Sequence, residues 1–280
     1  MDGQDEGLFG WVTINYLLDA LHQRADRTST VLDLGGGSTQ IAMSVASSGG
    51  QLVASTFMGK THNMFLHSFL GFGLMAGRGK VLGHLVPPGD PRRTGQAEIL
   101  TACVPRGAAV EFHYGDDVYR AKGKPDASFE ACSMVSSAAI KSDTTQFSSA
   151  LPRPAAGQPV VALSYYFDRA MDVGLVTPGA QEGSVTPLEY MEAARRVCAL
   201  SVDELRHQFP SVDEDTAAFL CLDLCFIGSL LVDGVGLDPH ARMMLAKSMQ
   251  YNGERVETQW SLGASLAEIF ETQTALGVHH

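Results

Sequence analysis

The chain has 280 residues, of which 45% are hydrophobic and 18% are charged, and its formal net charge at pH 7 is −11. This composition excludes a globally disordered chain and suffices for one large domain or two of ordinary size. The acidic balance argues against a nucleic-acid partner, which needs a basic surface.

The first half of the chain predicts a helix, then strands. Residues 6–21 carry apolar side chains at helical spacing, and the residues before them lack the pattern of a signal peptide. Three successive strands forming a meander are expected over residues 28–34, 39–46 and 51–58, with turn residues 47–50 between the last two. Further on we expect a helix, a Pro/Gly loop, two short strands and a helix, over residues 61–82, 83–96, 110–114, 118–121 and 128–140.

The second half is mostly helical in its pattern. After a linker at residues 152–159 and an apolar segment at residues 160–167, helices are expected over residues 187–200, 202–209, 216–231, 239–248 and 258–276. The longest apolar run, residues 219–232, is too short for a membrane span and contains Asp223. Strands followed by helices predict a mixed α/β domain.

Three glycines interrupt the first two strands. Asp33 precedes Gly35, Gly36 and Gly37, and a second strand resumes at Gln40. Glycines cost stability inside strands, so a ligand that approaches the backbone closely is indicated, and glycine amides bind phosphate well. A carboxylate repels phosphate but can hold the divalent cation of a nucleotide. The pattern predicts phosphoryl chemistry.

Cysteine spacing leaves two interpretations open. None of the five cysteines forms a C-x-x-C pair, and no histidine pair completes a zinc set with Cys221 and Cys225. Five buried thiols, or two disulfides with one cysteine left over, both fit.

The residues from Asp33 to Gln40 resemble the second phosphate-binding loop of the actin/hexokinase-like superfamily, in particular that of apyrases, the nucleoside tri- and diphosphatases. Further segments resemble apyrase motifs in the same order, at residues 3–17, 61–73, 164–170, 219–224 and 257–264. The soluble ER/Golgi nucleoside-diphosphatase branch is the one that the chain resembles most. Leu74 fits this branch, since cell-surface members carry an arginine shortly after this motif. The resemblance implies an α/β, ribonuclease H-like lobe with a mixed sheet and flanking helices.

The resemblance also implies roles for individual residues. Glu6 would be the catalytic base, and its place in the first helical turn favours the ionised form. Gln40 would orient the attacking water, while Asp33 would hold Ca²⁺ or Mg²⁺ through water. Donors to the terminal phosphate would be Gly35, Gly36, Gly37 and Ser38. Either Tyr165 or Tyr166 could stack on a nucleobase, and Trp11 is expected in the core.

In the branch that the chain resembles, the counterparts of Cys103 and Cys132 pair, as do those of Cys198 and Cys221, which implies a free Cys225 and the secretory pathway. No second loop of the Asp-x-Gly-Ser-Thr type is found. We therefore expect a C-terminal lobe at residues 1–255 and a closing helix at residues 256–280 that packs on a lobe outside this chain.

The implied reaction is hydrolysis of nucleoside diphosphates such as UDP or GDP, and less so of triphosphates, to monophosphate and phosphate. Two alternatives remain. An exopolyphosphatase-like phosphatase shares the glycine loop but typically has glutamate at the position of Gln40 and lacks the motif at residues 260–264. A non-catalytic nucleotide-binding module is the other.

Overall fold

The computed structural model describes residues 2–46, 52–86, 94–143, 145–147 and 152–275. Its strands are β1 (Thr30–Leu34), β2 (Ser38–Val45), β3 (Val53–Phe57), β4 (Lys60–Leu70), β5 (Thr94–Thr101), β6 (Ala109–Tyr114), β7 (Asp117–Gly123), β8 (Val160–Ser164), β9 (Glu182–Val185), β10 (Met243–Ala246), β11 (Ser248–Tyr251) and β12 (Glu254–Glu257). Its helices are α1 (Gly3–Leu17), α2 (Leu74–Gly83), α3 (Phe129–Lys141), α4 (Tyr165–Asp172), α5 (Pro187–Cys198), α6 (Val202–Gln208), α7 (Glu214–Ser229) and α8 (Trp260–Ala275).

A seven-stranded mixed sheet organises the fold. Its strand order is β3-β4-β2-β1-β8-β10-β9, and β8 runs parallel to both β1 and β10 while the other pairs are antiparallel. Two smaller sheets are separate from the large one: the three-stranded sheet β5-β7-β6 and the hairpin β11-β12. The predicted α/β class with a mixed sheet and flanking helices is confirmed.

The two faces of the large sheet bury separate apolar clusters, because side chains alternate along each strand. Val31, Ala42 and Met64 belong to the cluster that packs against α1 and α8. Leu32 and Ile41 point the other way, into the larger cluster that α7 shares with the helices around it. Side chains at alternate positions of β1, β2 and β4 therefore face α1 together.

The helix expected over residues 61–82 is wrong in its first half. Residues Lys60–Leu70 form β4, and α2 begins only at Leu74. Met64 and Phe65 are both buried but on opposite faces of the sheet, which is the alternation of a strand. Moreover, β4 lies between β2 and β3, so the three strands do not form the expected meander.

Two further expectations are also wrong. The segment predicted as a helix at residues 239–248 contains β10, which adds a central strand to the large sheet. Part of the predicted Pro/Gly loop is β5, while residues 87–93 of that loop and the predicted turn at 47–50 lie outside the described residues.

The other helices predicted for the second half, at residues 187–200, 202–209, 216–231 and 258–276, are confirmed, and the starts of two of them have local causes. Capping boxes begin α5 and α6, where Thr186 pairs with Glu189 and Ser201 with Glu204. The long apolar helix, residues Glu214–Gly234 with its final π turn, is long and apolar enough to cross a membrane by length and composition alone. Its most apolar window of 18 residues has a mean hydropathy of 1.8, and 72% of that window is buried inside the protein. Here α7 is the core helix of the fold.

Two disulfides join the elements around α7. Cys103 bonds to Cys132 and Cys198 to Cys221, as the resemblance implies, and Cys225 is a buried free thiol. The sulfurs of Cys132, Cys221 and Cys225 lie within 4.8 Å of one another, and the first two are bound in the disulfides. This group of sulfurs is therefore part of the disulfide framework.

The last helix, α8, packs on the first. Thr13 of α1 donates through Oγ1 to Gln259 O at 2.9 Å and accepts from Gly263 N at 2.8 Å. A Cβ at Gly263 would lie 1.9 Å from Phe9 O, so only glycine allows this approach. Ile269 of α8 is half exposed. That α8 also packs on a further lobe stays a prediction.

Candidate active site

A row of polar residues lies at the end of the apolar sheet face that packs against α1. Asp33 on β1 lies opposite Gln40 on β2, which in turn lies opposite Ser68 on β4. These residues continue the row of Val31 and Ala42 by one alternation, so they face the same side. Strand register alone brings a carboxylate, a carboxamide and a hydroxyl together.

Glu6 lies above this row, in the first turns of α1. Gln40 Nε2 donates to Glu6 Oε2 at 3.3 Å, to Ser38 Oγ at 2.7 Å and to Ser68 Oγ at 3.3 Å. A Cβ at Gly3 would lie 2.2 Å from Ser68 Oγ, so this glycine lets the helix start approach the sheet. The predicted base and the predicted water-orienting residue are in contact.

The ionisation of Glu6 differs from the expectation based on its helical position. Burial raises the pKa of Glu6 above its ordinary value, and the negative charge of Asp33 raises it further. A carboxylate with a raised pKa is a stronger base than an exposed one, which suits proton transfer from water.

The half-buried residue Asp33 has a carboxylate that is only partly hydrogen-bonded. Burial raises its pKa, and only a hydrogen bond from the Ser164 hydroxyl opposes the shift. Its Oδ1 has no hydrogen-bond partner among the described residues. A buried, unpartnered carboxylate oxygen is costly unless a cation compensates it. Oxygen ligands also suit Ca²⁺ and Mg²⁺, so Asp33 fits the predicted role in holding such an ion.

The start of α2 holds the carbonyls of the glycine loop, residues 35–37. Leu74 N donates to Gly35 O at 2.8 Å, and Met75 N and Ala76 N donate to Gly36 O at 3.0 and 3.1 Å. A Cβ at Gly73 would lie 2.4 Å from Ser38 N. The backbone amides that are unpaired at the start of α2 therefore donate to carbonyl groups of the glycine loop. The close approach of the two segments requires glycine at position 73.

The loop amides are not all equally available. Gly35 N already donates to Ser38 O at 3.0 Å, so this predicted phosphate donor is engaged within the loop. The amides of Gly36 and Gly37 have no acceptor in the described part of the chain, and a Cβ at Gly37 would meet no atom within 4 Å. These two amides border open space that an anion can enter.

Ser164 adjoins the site although no role was predicted for it within the motif segment at residues 164–170. It is the last residue of β8, pairs in register with Leu34, and has the unusual φ of +58°. Left-handed backbone at a residue other than glycine is strained and concentrates at functional sites. A cavity of about 200 Å³ opens beside Ser164, and Lys247 and Glu257 contribute to its walls.

The two tyrosines after Ser164 have different surroundings. Tyr166 is completely buried and accepts through its backbone O a hydrogen bond from Tyr190 Oη, so the prediction that it stacks on a base is wrong. Tyr165 is half-buried, with the Arg169 guanidinium 5.8 Å from its ring centre, and its stacking role stays a prediction. Trp11 is buried in the core, as expected.

The sequence profile of the GDA1/CD39 (nucleoside phosphatase) family matches residues 1–277, which include every residue of this site. The chain belongs to this family. The resemblance to apyrases noted from the motifs is thereby confirmed over nearly the whole chain.

Curated relatives from plants and animals support the GDA1/CD39 assignment. The chain is 34% identical to "Probable apyrase 1" of Oryza sativa subsp. japonica, over 95% of this chain and 57% of that protein. It is 33% identical to the nucleoside diphosphate phosphatase ENTPD5 of Homo sapiens, over 100% of this chain and 61% of that protein. The chain thus spans about three fifths of the length of these relatives.

A solved structure shows the same fold. Nucleoside triphosphate hydrolase from Neospora caninum matches with a TM-score of 0.69 at 14% identity, over 98% of this chain and 64% of that one. The actin/hexokinase-like lobe implied by the motifs is thereby supported at the level of backbone architecture.

Ser68, Gly73 and Ser164 lie in motif segments of the sequence but were not predicted as site residues. The wrong helix at residues 61–82 concealed Ser68, although strand-like alternation from Met64 onward places it on the face of Gln40. The strain at Ser164 comes from backbone dihedrals that only the folded chain reveals.

Proposed function

We propose that the protein hydrolyses nucleoside diphosphates such as UDP or GDP, and triphosphates less well, to the monophosphate and inorganic phosphate. The observation that carries this proposal is the contact of Gln40 Nε2 with Glu6 Oε2 directly beside the glycine loop and Asp33. A base, an orienting amide and a phosphate loop at one sheet edge fit attack by water. Membership of a nucleoside phosphatase family supports the same reaction.

Glu6 removes a proton from the attacking water, and Gln40, fixed by its bonds to Glu6 and Ser38, orients that water. The amides of Gly36 and Gly37 donate to the phosphate that is being cleaved. Because water is the nucleophile, no serine or cysteine needs to form a covalent intermediate.

Asp33 would hold a divalent cation, Ca²⁺ or Mg²⁺, through water. Bound there, the cation would supply positive charge to the phosphate oxygens. The unpartnered Oδ1 of Asp33 supports this assignment.

The preference for diphosphates and the compartment have separate support. A relative named as a nucleoside diphosphate phosphatase matches over the whole chain, which favours diphosphates. Leu74 instead of an arginine fits that preference as well. Two disulfides favour an oxidising compartment, so we place the protein in the secretory pathway, in the ER or Golgi lumen or outside the cell.

The test is phosphate release from UDP, GDP and the matching triphosphates by the complete protein, with Mg²⁺ or Ca²⁺. We expect Glu6→Gln to lower kcat by about 100-fold or more, because it removes the base while keeping shape. Asp5→Asn is the matched control, since this neighbouring carboxylate is exposed.

Undiminished turnover in Glu6→Gln would contradict the assigned base. Tight nucleotide binding by wild-type protein without any phosphate release would instead support the non-catalytic alternative.

A further inference from the structure

A buried ion-pair network lies behind the glycine loop, on the opposite side of the sheet from Glu6. Asp223 on α7 is completely buried and accepts two hydrogen bonds from Arg78 of α2, both at 2.7 Å. It also accepts one from Arg169 Nη1 of α4, at 3.4 Å. One carboxylate therefore ties two separate helices to the core helix.

Each of the two helices has its N-terminal end at the candidate site. The first turn of α2 donates to the carbonyls of Gly35 and Gly36, and α4 begins directly after Ser164, whose hydroxyl bonds to Asp33. Arg78 and Arg169 each lie within about one turn of these starts. Asp223 thus bonds to the two elements that set the glycine loop and the environment of Asp33.

Packing around Arg78 leaves little freedom. Its guanidinium lies 4.3 Å from the centre of the Phe219 ring, and a Cβ at the preceding Gly77 would lie 2.5 Å from Phe226. A planar guanidinium that forks onto a carboxylate fixes orientation as well as distance, which a lysine ammonium cannot do. The α2–α7 contact therefore has one defined geometry.

We propose that Asp223, through Arg78 and Arg169, is a positioning residue for the phosphate loop, an inference that rests on the proposed function. It touches no substrate. It determines the position of the Gly36 and Gly37 amides relative to Asp33 and Glu6. Phosphate binding then depends on a carboxylate on the far side of α2.

The first variant is Arg78→Lys in the full chain, which keeps the charge and loses the fork. We expect the amide resonances of residues 35–37 to shift and the hydrogen exchange of the Leu74 and Met75 amides to rise. Affinity for inorganic phosphate in the presence of Mg²⁺, measured by NMR titration, should fall about tenfold, equivalent to about 1.4 kcal/mol. Asp233→Asn is the control, because it removes a carboxylate of an ion pair near the end of the same long helix.

The second variant, Arg78→Met with Asp223→Leu, separates positioning from stability. Replacing a buried ion pair by apolar side chains often restores stability, whereas removing one partner alone is strongly destabilising. Arg169 keeps its ion pair with Asp172 in the double variant, at 3.1 Å, so no buried charge is left unpaired. We therefore expect the double variant to unfold near the wild-type temperature yet to keep the shifted loop resonances and the weak phosphate binding.

Wild-type loop resonances and unchanged Leu74 and Met75 exchange in both variants would overturn the proposal. Phosphate affinity that recovers together with stability in the double variant would do the same. The exchange and resonance measurements need no ligand, so they decide the positioning role even if wild-type protein fails to bind phosphate, a result that would count against the proposed function instead.

Discussion

At the scale of single residues, Asp33 shows a conflict between folding and chemistry. Its carboxylate is buried, lies near Glu6 and leaves Oδ1 without a partner in the described structure. Burial raises the pKa of Asp33 and so favours the protonated form, whereas the hydrogen bond from Ser164 lowers it. A group placed this unfavourably is typical of a site that a ligand completes.

Asp33→Asn is expected to stabilise the chain in the absence of divalent cations. Because the folded-state pKa is raised, the native state binds more protons than the unfolded state, and stability falls as pH rises from the unfolded pKa through the folded one. The variant removes this cost, so its free energy of unfolding at pH 7 should exceed that of wild type by about 1–3 kcal/mol.

Urea unfolding from pH 3 to pH 7 measures this effect, and the difference between the variant and wild type should vanish below the unfolded pKa. Asp116→Asn, at an exposed turn, is the control. Added Mg²⁺ should stabilise wild type and leave Asp33→Asn unchanged; an equal shift in both would contradict the role of Asp33.

At the scale of elements, local signals account for most of what the sequence could predict. The helical pattern of the sequence predicted α5 and α6 correctly, and the structure adds the capping boxes that begin them. The strand–glycine–strand pattern pointed to the candidate site. Among the failures, β10 pairs with β8 and β9, which are distant in sequence, and β4 pairs with β2 as well as with the adjacent β3. Sequence patterns identify chemistry within one segment, but the positions of Ser68 and Ser164 depend on strand pairing.

Gly263→Ala tests the close contact of α8 with α1. The added Cβ would overlap Phe9 O, so the helices must separate, and we expect a loss of about 1–3 kcal/mol in the free energy of unfolding. Because α1 carries Glu6, phosphate release should also fall.

Gly10→Ala is the matched control, since a Cβ there meets no atom within 4 Å and alanine favours helix by about 1 kcal/mol. A stability for Gly263→Ala at or above that of Gly10→Ala would refute the tight contact.

At the scale of the whole molecule, α7 and the two disulfides hold the parts together. Cys103–Cys132 joins the end of the small sheet to α3, and Cys198–Cys221 joins α5 to α7. Loops of 29 and 23 residues are closed, which in the chain-entropy account stabilises by about 3.5 kcal/mol each. Most of the larger core depends on these connections.

Thiol counting checks this framework. We expect a maleimide to label no cysteine in the native protein, because Cys225 is buried and burial raises its pKa. One cysteine should react after unfolding without reductant and five after unfolding with reductant, as measured by intact mass. Three labelled cysteines in the unreduced, unfolded protein would show that one disulfide does not form.

The contact between α1 and α8 joins residues 250 positions apart, Thr13 and Gly263. During synthesis on the ribosome, α1 emerges before α8 and lacks this packing partner until the residues between them have been translated. Folding of elements that do not contact α8 can precede this step. The final packing of α1, which carries Glu6, is then a late event, so a nascent chain would form its phosphate loop before the position of the base is fixed.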